Sequence, residues 1–121
     1  MIIEIPGVNA DSGLDLCDGD TETYLRLLHL YVSDMTKALS KMRNFSAETL
    51  WEYAVSAHTA KGISQAIGAE EARKTAKHLE EMAQAGDMAG LQAEKSAFIK
   101  YAENLAESIR VWLEKNDAVG K

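Results

Sequence analysis

Residues 56 to 69 read SAHTAKGISQAIGA, and this stretch carries the clearest helical pattern in the chain. Small and apolar residues recur at steps of three and four, which is the spacing of one face of an α-helix. Gly68 supplies the stop, because glycine readily adopts the left-handed conformation in which many helices end. The stretch therefore predicts the C-terminal part of a helix over residues 47–67. Its predicted buried face, unusually small in side-chain volume, consists of Leu50, Ala54, Ala57, Ser64 and Ile67.

Segments with the same periodicity lie on both sides of this helix. Because the connections are only a few residues long, sequential helices should pack side by side in opposite directions. The sequence therefore predicts an all-α fold, an antiparallel up-down-up-down four-helix bundle with a short extra N-terminal helix, in one domain spanning residues 1–121. The expected elements are a lead-in at 1–10, a short helix at 11–18 that Asp11-Ser12 would cap, bundle helices at 21–43, 47–67 (capped by Ser46), 70–85 and 87–116, and a polar tail at 117–121.

Composition limits the partners and the compartment. The 121 residues carry a net charge of −6, which argues against nucleic acid or an anionic membrane as a partner. No apolar run approaches the roughly 18 residues of a membrane span, and the N-terminal residues lack a signal-peptide pattern. Cys17 is the single cysteine, which suits a reducing compartment. We expect a cytoplasmic protein, and a monomer, since a closed four-helix core needs no second copy.

His58, Lys61 and Gly62 form the candidate reactive group. Residues three and four apart on a helix are surface neighbours, so Lys61 and Gly62 both lie one turn beyond His58. An imidazole takes up and releases groups near neutral pH, and the lysine supplies a cation beside it. Glycine costs a helix about 1 kcal/mol relative to alanine, but it leaves room for another backbone to approach. The combination suits a phosphoryl group that arrives from a second protein.

Glu80 is the candidate partner of His58. It lies on the next predicted helix, at a similar distance from the turn at Gly68-Ala69. Its carboxylate can therefore accept a hydrogen bond from Nδ1–H of His58, which leaves Nε2 as the nucleophile. The alternative is a solvated glutamate that shares an acidic surface with Glu81.

These residues resemble the histidine phosphotransfer (HPt) domain of bacterial and fungal phosphorelays. The pattern His58-x-x-Lys61-Gly62 is the core of the resemblance, which extends over nearly the whole chain. Ala60 and Ile63 depart from the commonest pattern, which has a leucine and a small residue there. Further matching features are Gly19-Asp20, Tyr24, Leu27, Leu28, Gly68-Ala69, Leu79-Glu80 and Gly86-Asp87.

The resemblance implies a phospho-carrier with no kinase activity of its own. It implies that His58 accepts a phosphoryl group, from a receiver phospho-aspartate or a sensor histidine kinase, and passes it to a response regulator. Lys61, Gly62 and Glu80 would assist. The chain itself would bind no cofactor, and Mg²⁺ would sit on the partner receiver domain. Two alternatives stay open: a degenerate helical interaction module without phosphotransfer, or a phospho-accepting domain cut from a larger sensor kinase.

The remaining residues of chemical interest indicate little. The chain has no Glu-x-x-His, Cys-x-x-Cys or phosphate-binding glycine loop, so we expect no bound metal and no ATP chemistry. We expect His29 to be structural or exposed and His78 to lie on a solvated face. Trp51 and Trp112 are expected to be packing residues. Ser64 is expected on the core side and Gln65 at a docking surface, where Ile63 would contribute to an apolar rim.

Overall fold

The structure, a computed structural model, describes residues 2–116. Within these residues it contains five α-helices and no strand, and one isolated bridge pairs Ile5 with Val8. The prediction of an all-α fold is confirmed for this part of the chain, whereas the predicted tail at 117–121 lies outside it. The helices are α1 Ala10–Leu16, α2 Thr21–Met42, α3 Leu50–Ile67, α4 Glu70–Gln84 and α5 Met88–Asn116.

The long helices pack into a compact helical bundle around one hydrophobic core. Helix α2 packs against α3 and α5, α4 also packs against α3 and α5, and the short α1 rests on α3 and α2. Each long helix contributes apolar side chains at helical spacing to this core, as an amphipathic helix does when it buries one face. The largest fully buried side chains are Tyr24, Tyr31, Tyr53, Phe98, Leu28, Met35, Leu39, Met42, Ile67, Leu79, Leu91 and Ile109.

Helices α1 and α3 begin at residues other than the predicted ones, because local hydrogen bonds determine where each of them starts. Helix α1 is capped by Asn9, whose side chain accepts from the backbone of Ser12 at 3.1 Å. Helix α3 begins at Leu50 rather than at 47, because Ser46 does not cap it. The backbone N–H of Ser46 instead donates to Oγ1 of Thr49 at 2.8 Å, which holds residues 46–49 in a turn.

Helices α3 and α4 make the most extensive contact in the bundle. Their facing surfaces are rich in alanine, and Ala57, Ala60, Ala72 and Ala76 are all fully buried. Small side chains let two helix backbones approach closely, so polar side chains at the margin of this contact can reach across from one helix to the other. This close packing is what brings the candidate site together.

The connection between α3 and α4 is held by the N-terminal segment. The backbone N–H of Asn9 donates to the carbonyl of Gly68 at 2.9 Å, and the Tyr24 hydroxyl donates to the carbonyl of Ile67 at 2.6 Å. Gly68 ends α3 with φ +84°, and a Cβ there would lie 2.0 Å from the carbonyl oxygen of Asn9. Gly13 is equally enclosed, since its Cβ would lie 2.3 Å from the Tyr24 ring. Only glycine fits at either position.

Candidate functional site

His58 lies in the middle of α3 with its imidazole open to solvent. Its side chain is 65% exposed, and the adjacent Thr59 and Gly62 are exposed as well. The ring is therefore not a core histidine. Among the described residues, no group of three or more His, Cys, Asp or Glu side chains is arranged to hold a metal ion. His58 is thus accessible to a macromolecular partner.

The carboxylate of Glu80 joins the candidate residues into one cluster. Its Oε2 lies 2.8 Å from Nδ1 of His58, and its Oε1 accepts a hydrogen bond from Nζ of Lys61, also at 2.8 Å. The Glu80 side chain is only 11% exposed, so the alternative of a solvated glutamate beside Glu81 is wrong. The predicted contact between Glu80 and His58 is present, and the bridge to Lys61 is an addition that the sequence did not predict.

The charge of Glu80 determines which nitrogen of the neutral His58 ring carries the proton. Burial opposes ionisation of this carboxyl, but the hydrogen bonds and positive charge that Lys61 and His58 provide outweigh it, and the pKa of Glu80 is lowered. An ionised carboxylate only accepts hydrogen bonds, so Nδ1 of His58 must carry the proton. In the neutral imidazole the lone pair then lies on Nε2. The arrangement leaves Nε2 as the ring nitrogen with an available lone pair.

Gly62 has no role in the packing of the described chain. A Cβ at this position would meet nothing within 4 Å, and the residue is exposed. A glycine inside a helix costs stability without any internal contact that needs it here. The bare backbone next to His58 therefore leaves open space on the outer surface of α3.

The other residues considered from the sequence fall outside this cluster. Ser64 is buried, and its hydroxyl lies 3.2 Å from that of Tyr31, whereas Gln65 is exposed and Ile63 is half-buried against the core. Burial raises the pKa of Tyr31 to about 12, against the opposing effect of the Ser64 hydrogen bond, so this phenol stays neutral. His29 is half-buried on α2. Nε2 of His78 lies 3.3 Å from Glu94 on α5.

Trp51 corrects a sequence-based expectation. It is 76% exposed and does not pack in the core, whereas Trp112 is half-buried against it. The buried face of α3 is set by Tyr53, Ala54 and Ala57, which leaves Trp51 on the outer side of the helix. Its spacing of seven residues from His58, two turns of helix, was a signal in the sequence that the two share a face.

No protein-family model matches the chain, and neither a curated protein nor a solved structure matches it. Within residues 2–116, no helix has the combined length and apolar character that crossing a bilayer would require.

Proposed function

We propose that this chain is a phosphorelay intermediate of the histidine phosphotransfer type. In this proposal His58 accepts a phosphoryl group from the phospho-aspartate of a receiver domain, or from a sensor histidine kinase, and passes it to a response regulator. The observation that carries the proposal is the exposed His58 ring, held through Nδ1 by the buried carboxylate of Glu80. The His58-x-x-Lys61-Gly62 pattern, which resembles that of the HPt family, supports the same conclusion.

The transfer step follows from the tautomer of His58. Nε2 attacks the phosphorus in line, an N–P bond forms, and the P–O bond to the partner's aspartate breaks with release of its carboxylate. The reverse reaction delivers the group to a second receiver. Nδ1–H remains hydrogen-bonded to Glu80 throughout, and the positive charge that the ring gains on phosphorylation is stabilised by that carboxylate.

Lys61 and Gly62 have different tasks in this mechanism. The Lys61 ammonium group donates to the same Glu80 carboxylate that contacts the His58 ring. This bond restricts the Lys61 side chain to a conformation near the imidazole, so less conformational entropy is lost when the phosphoryl group arrives. From there it helps to stabilise the charge on the equatorial phosphoryl oxygens. Gly62 leaves space for the partner's backbone. The partner receiver supplies Mg²⁺ and most of the remaining positioning.

We further propose a bundle topology, a class of partner, a cellular location and an oligomeric state for this chain. Short connections between helices that pack on one another support an antiparallel up-down-up-down bundle with α1 as the extra helix. The net charge of −6 supports a protein partner rather than nucleic acid. A cytoplasmic location is supported by the single cysteine, and a monomer by the closed core.

A phosphotransfer assay tests the proposal. Receiver domains are charged with acetyl phosphate in Mg²⁺, mixed with the protein, and the product is examined for acid-labile, alkali-stable phosphate. We expect the wild type to be labelled, His58→Gln to be unlabelled, and His78→Gln, a matched change at another exposed histidine, to be labelled normally. Equal labelling of His58→Gln and wild type would overturn the assignment. An unlabelled wild type would favour a helical interaction module.

A further inference from the structure

Trp51 and Val55 are exposed apolar side chains on α3, and within residues 2–116 neither is part of the hydrophobic core or packed against it. Trp51 is 76% exposed and Val55 is 44% exposed. A large aromatic side chain left this open is uncommon on a surface that carries no partner. Their location relative to the candidate site indicates what covers them.

The two residues lie in line with His58 and Gly62. With about 3.6 residues per turn, each residue advances about 100° around the helix, so these four positions fall within an arc of about 60°. All four are exposed. Together they form the α3 stripe, defined as Trp51, Val55, His58 and Gly62. The reactive ring therefore has an apolar surface on one side along the helix and open backbone on the other.

We propose that Trp51 and Val55 are the docking anchor for the receiver domain that exchanges its phosphoryl group with His58. This inference rests on the function proposed above. Even a transient signalling contact of about 1,000 Å² in total covers about 500 Å² on each partner, a patch of about 13 Å radius. Trp51 lies about 10 Å along the helix from His58. A receiver centred on Nε2 of His58 therefore covers Trp51.

The charge around the stripe favours a receiver over a second copy of this chain. Glu48 and Glu52 are exposed beside Trp51 at the start of α3. A symmetric pairing of two copies would set the same acidic groups against each other, in a protein whose net charge is already −6. The stripe also runs directly into the candidate site at His58, so a receiver that exchanges its phosphoryl group with this ring is the occupant that its location favours.

Trp51 should contribute a large part of the docking free energy. About three-quarters of its surface is open, which corresponds to on the order of 190 Å² for a tryptophan. That is more than a third of the patch estimated above. Tryptophan is also strongly enriched among residues that dominate protein interfaces, where truncation weakens binding about 30-fold or more.

Phosphotransfer kinetics test the anchor. A panel of receivers charged with acetyl phosphate in Mg²⁺ is screened, and the fastest donor is titrated against each variant. We expect Trp51→Ala to raise the half-saturating receiver concentration about 30-fold, with a much smaller change in the rate at saturation. Trp51→Phe should recover most of the loss. Ile2→Ala, a truncation of a side chain that is 79% exposed outside the stripe, should behave as wild type.

A binding measurement separates contact from an indirect effect on α3. In a Trp112→Phe background Trp51 is the only tryptophan, and acrylamide quenches it readily in the free protein. We expect saturation with the receiver to protect it at least threefold. Unchanged quenching, or a Trp51→Ala variant that titrates as wild type, overturns the anchor while the function stands.

The failure of the proposed function gives a different result. Phosphoramidate, a small donor that needs no docking, tests on the wild type whether His58 is chemically competent. If His58 takes phosphate from phosphoramidate but no receiver in the panel transfers to the wild type, both the proposed function and the anchor fall. If the wild type dimerises at assay concentration and Trp51→Ala dissolves the dimer, the occupant is a second copy and the receiver anchor is overturned.

Discussion

Replacement of Glu80 by glutamine tests the central arrangement of the site. The carboxylate uses both oxygens to accept, one from Nδ1 of His58 and one from Lys61. An amide of the same shape has one acceptor and one donor, so it can serve only one of the two partners. If its oxygen faces His58, its NH₂ group opposes the Lys61 ammonium. If it turns over, it donates to Nδ1 and moves the ring proton to Nε2.

The structure limits the size of the effect. A hydrogen bond to a charged group contributes about 1.5–3 kcal/mol, but the His58 side chain is 65% exposed and that of Lys61 is 25% exposed. Solvent screening reduces both contributions. We expect Glu80→Gln to lower the free energy of unfolding at pH 7 by about 1–2 kcal/mol. If the same loss appears in the transition state of the proposed phosphoryl transfer, that transfer should slow about 5- to 30-fold.

The effect should depend on pH in a defined direction. The pKa of Glu80 in the folded protein is lowered from its usual 4.5, so the folded state binds fewer protons than the unfolded state. The stabilisation is therefore complete above about pH 4.5 and is lost as the pH falls through the lowered value. The difference in stability between wild type and Glu80→Gln should shrink in this acidic range.

Urea unfolding followed by circular dichroism at pH 7, 5 and 3 measures this difference. Glu81→Gln is the matched control, because it removes the same charge from the exposed neighbour on α4. Long-range ¹H–¹⁵N spectra report the tautomer, and we expect Nδ1–H at His58 in the wild type at a pH where the ring is neutral. The reasoning is refuted if Glu81→Gln costs as much as Glu80→Gln, or if neutral His58 carries its proton on Nε2.

Three further changes can be measured by thermal or urea unfolding. Gly62→Ala should stabilise the protein by about 1 kcal/mol, because the helix gains propensity and the Cβ enters open space; a loss of stability would show that the glycine is needed internally. Gly68→Ala should lower the free energy of unfolding by more than about 2 kcal/mol, because a Cβ at this position would combine a positive φ with a clash. Gly86 also has a positive φ but no neighbour within 4 Å, so Gly86→Ala should cost about half as much. Equal losses for the two variants would contradict the enclosure of Gly68. Tyr24→Phe leaves the buried carbonyl of Ile67 without its hydroxyl donor and should lower the free energy of unfolding by about 1–2 kcal/mol. Tyr53→Phe removes a buried hydroxyl with no partner among the described residues and should cost less than about 0.5 kcal/mol. The reverse order of the two losses would contradict a stabilising role for the Tyr24 hydrogen bond.

The helices and the contact of Glu80 with His58 could be predicted because they depend only on hydrophobic periodicity and on the length of one short connection. Helical periodicity identifies a buried face wherever polar residues fill the opposite one, as in α4. Similar distances from a short turn then place Glu80 opposite His58. The bridge from Glu80 to Lys61 was not predicted, because a lysine one turn away on α3 has many rotamers and only the finished packing selects one.

The start of α3 could not be predicted from the pattern alone, and the sequence indicated the exposure of Trp51 only through its two-turn spacing from His58. Five of the first seven residues of α3 are apolar, and of the two polar ones, Glu52 and Ser56, only Glu52 is exposed, so the local periodicity does not distinguish the buried face from an exposed one. Burial there is decided by Tyr53, which contacts Phe45 edge-on with ring centroids 5.3 Å apart. The turn at 46–49 similarly depends on a hydrogen bond that Oγ1 of Thr49 accepts from the backbone N–H of Ser46, and this bond competes with helix formation.

The enclosure of Gly68 by the N-terminal segment has a consequence for the alignment of the two helices that follow from it. The backbone N–H of Asn9 donates to the carbonyl of Gly68 and so holds the end of α3 in place. If α3 slid along α4, this hydrogen bond would break and α1, which follows Asn9, would be displaced. A slip of one residue would move the carboxylate on α4 by about 1.5 Å relative to the imidazole on α3. Asn9 therefore helps to set the register of the His58–Glu80 pair, to which it contributes no atom.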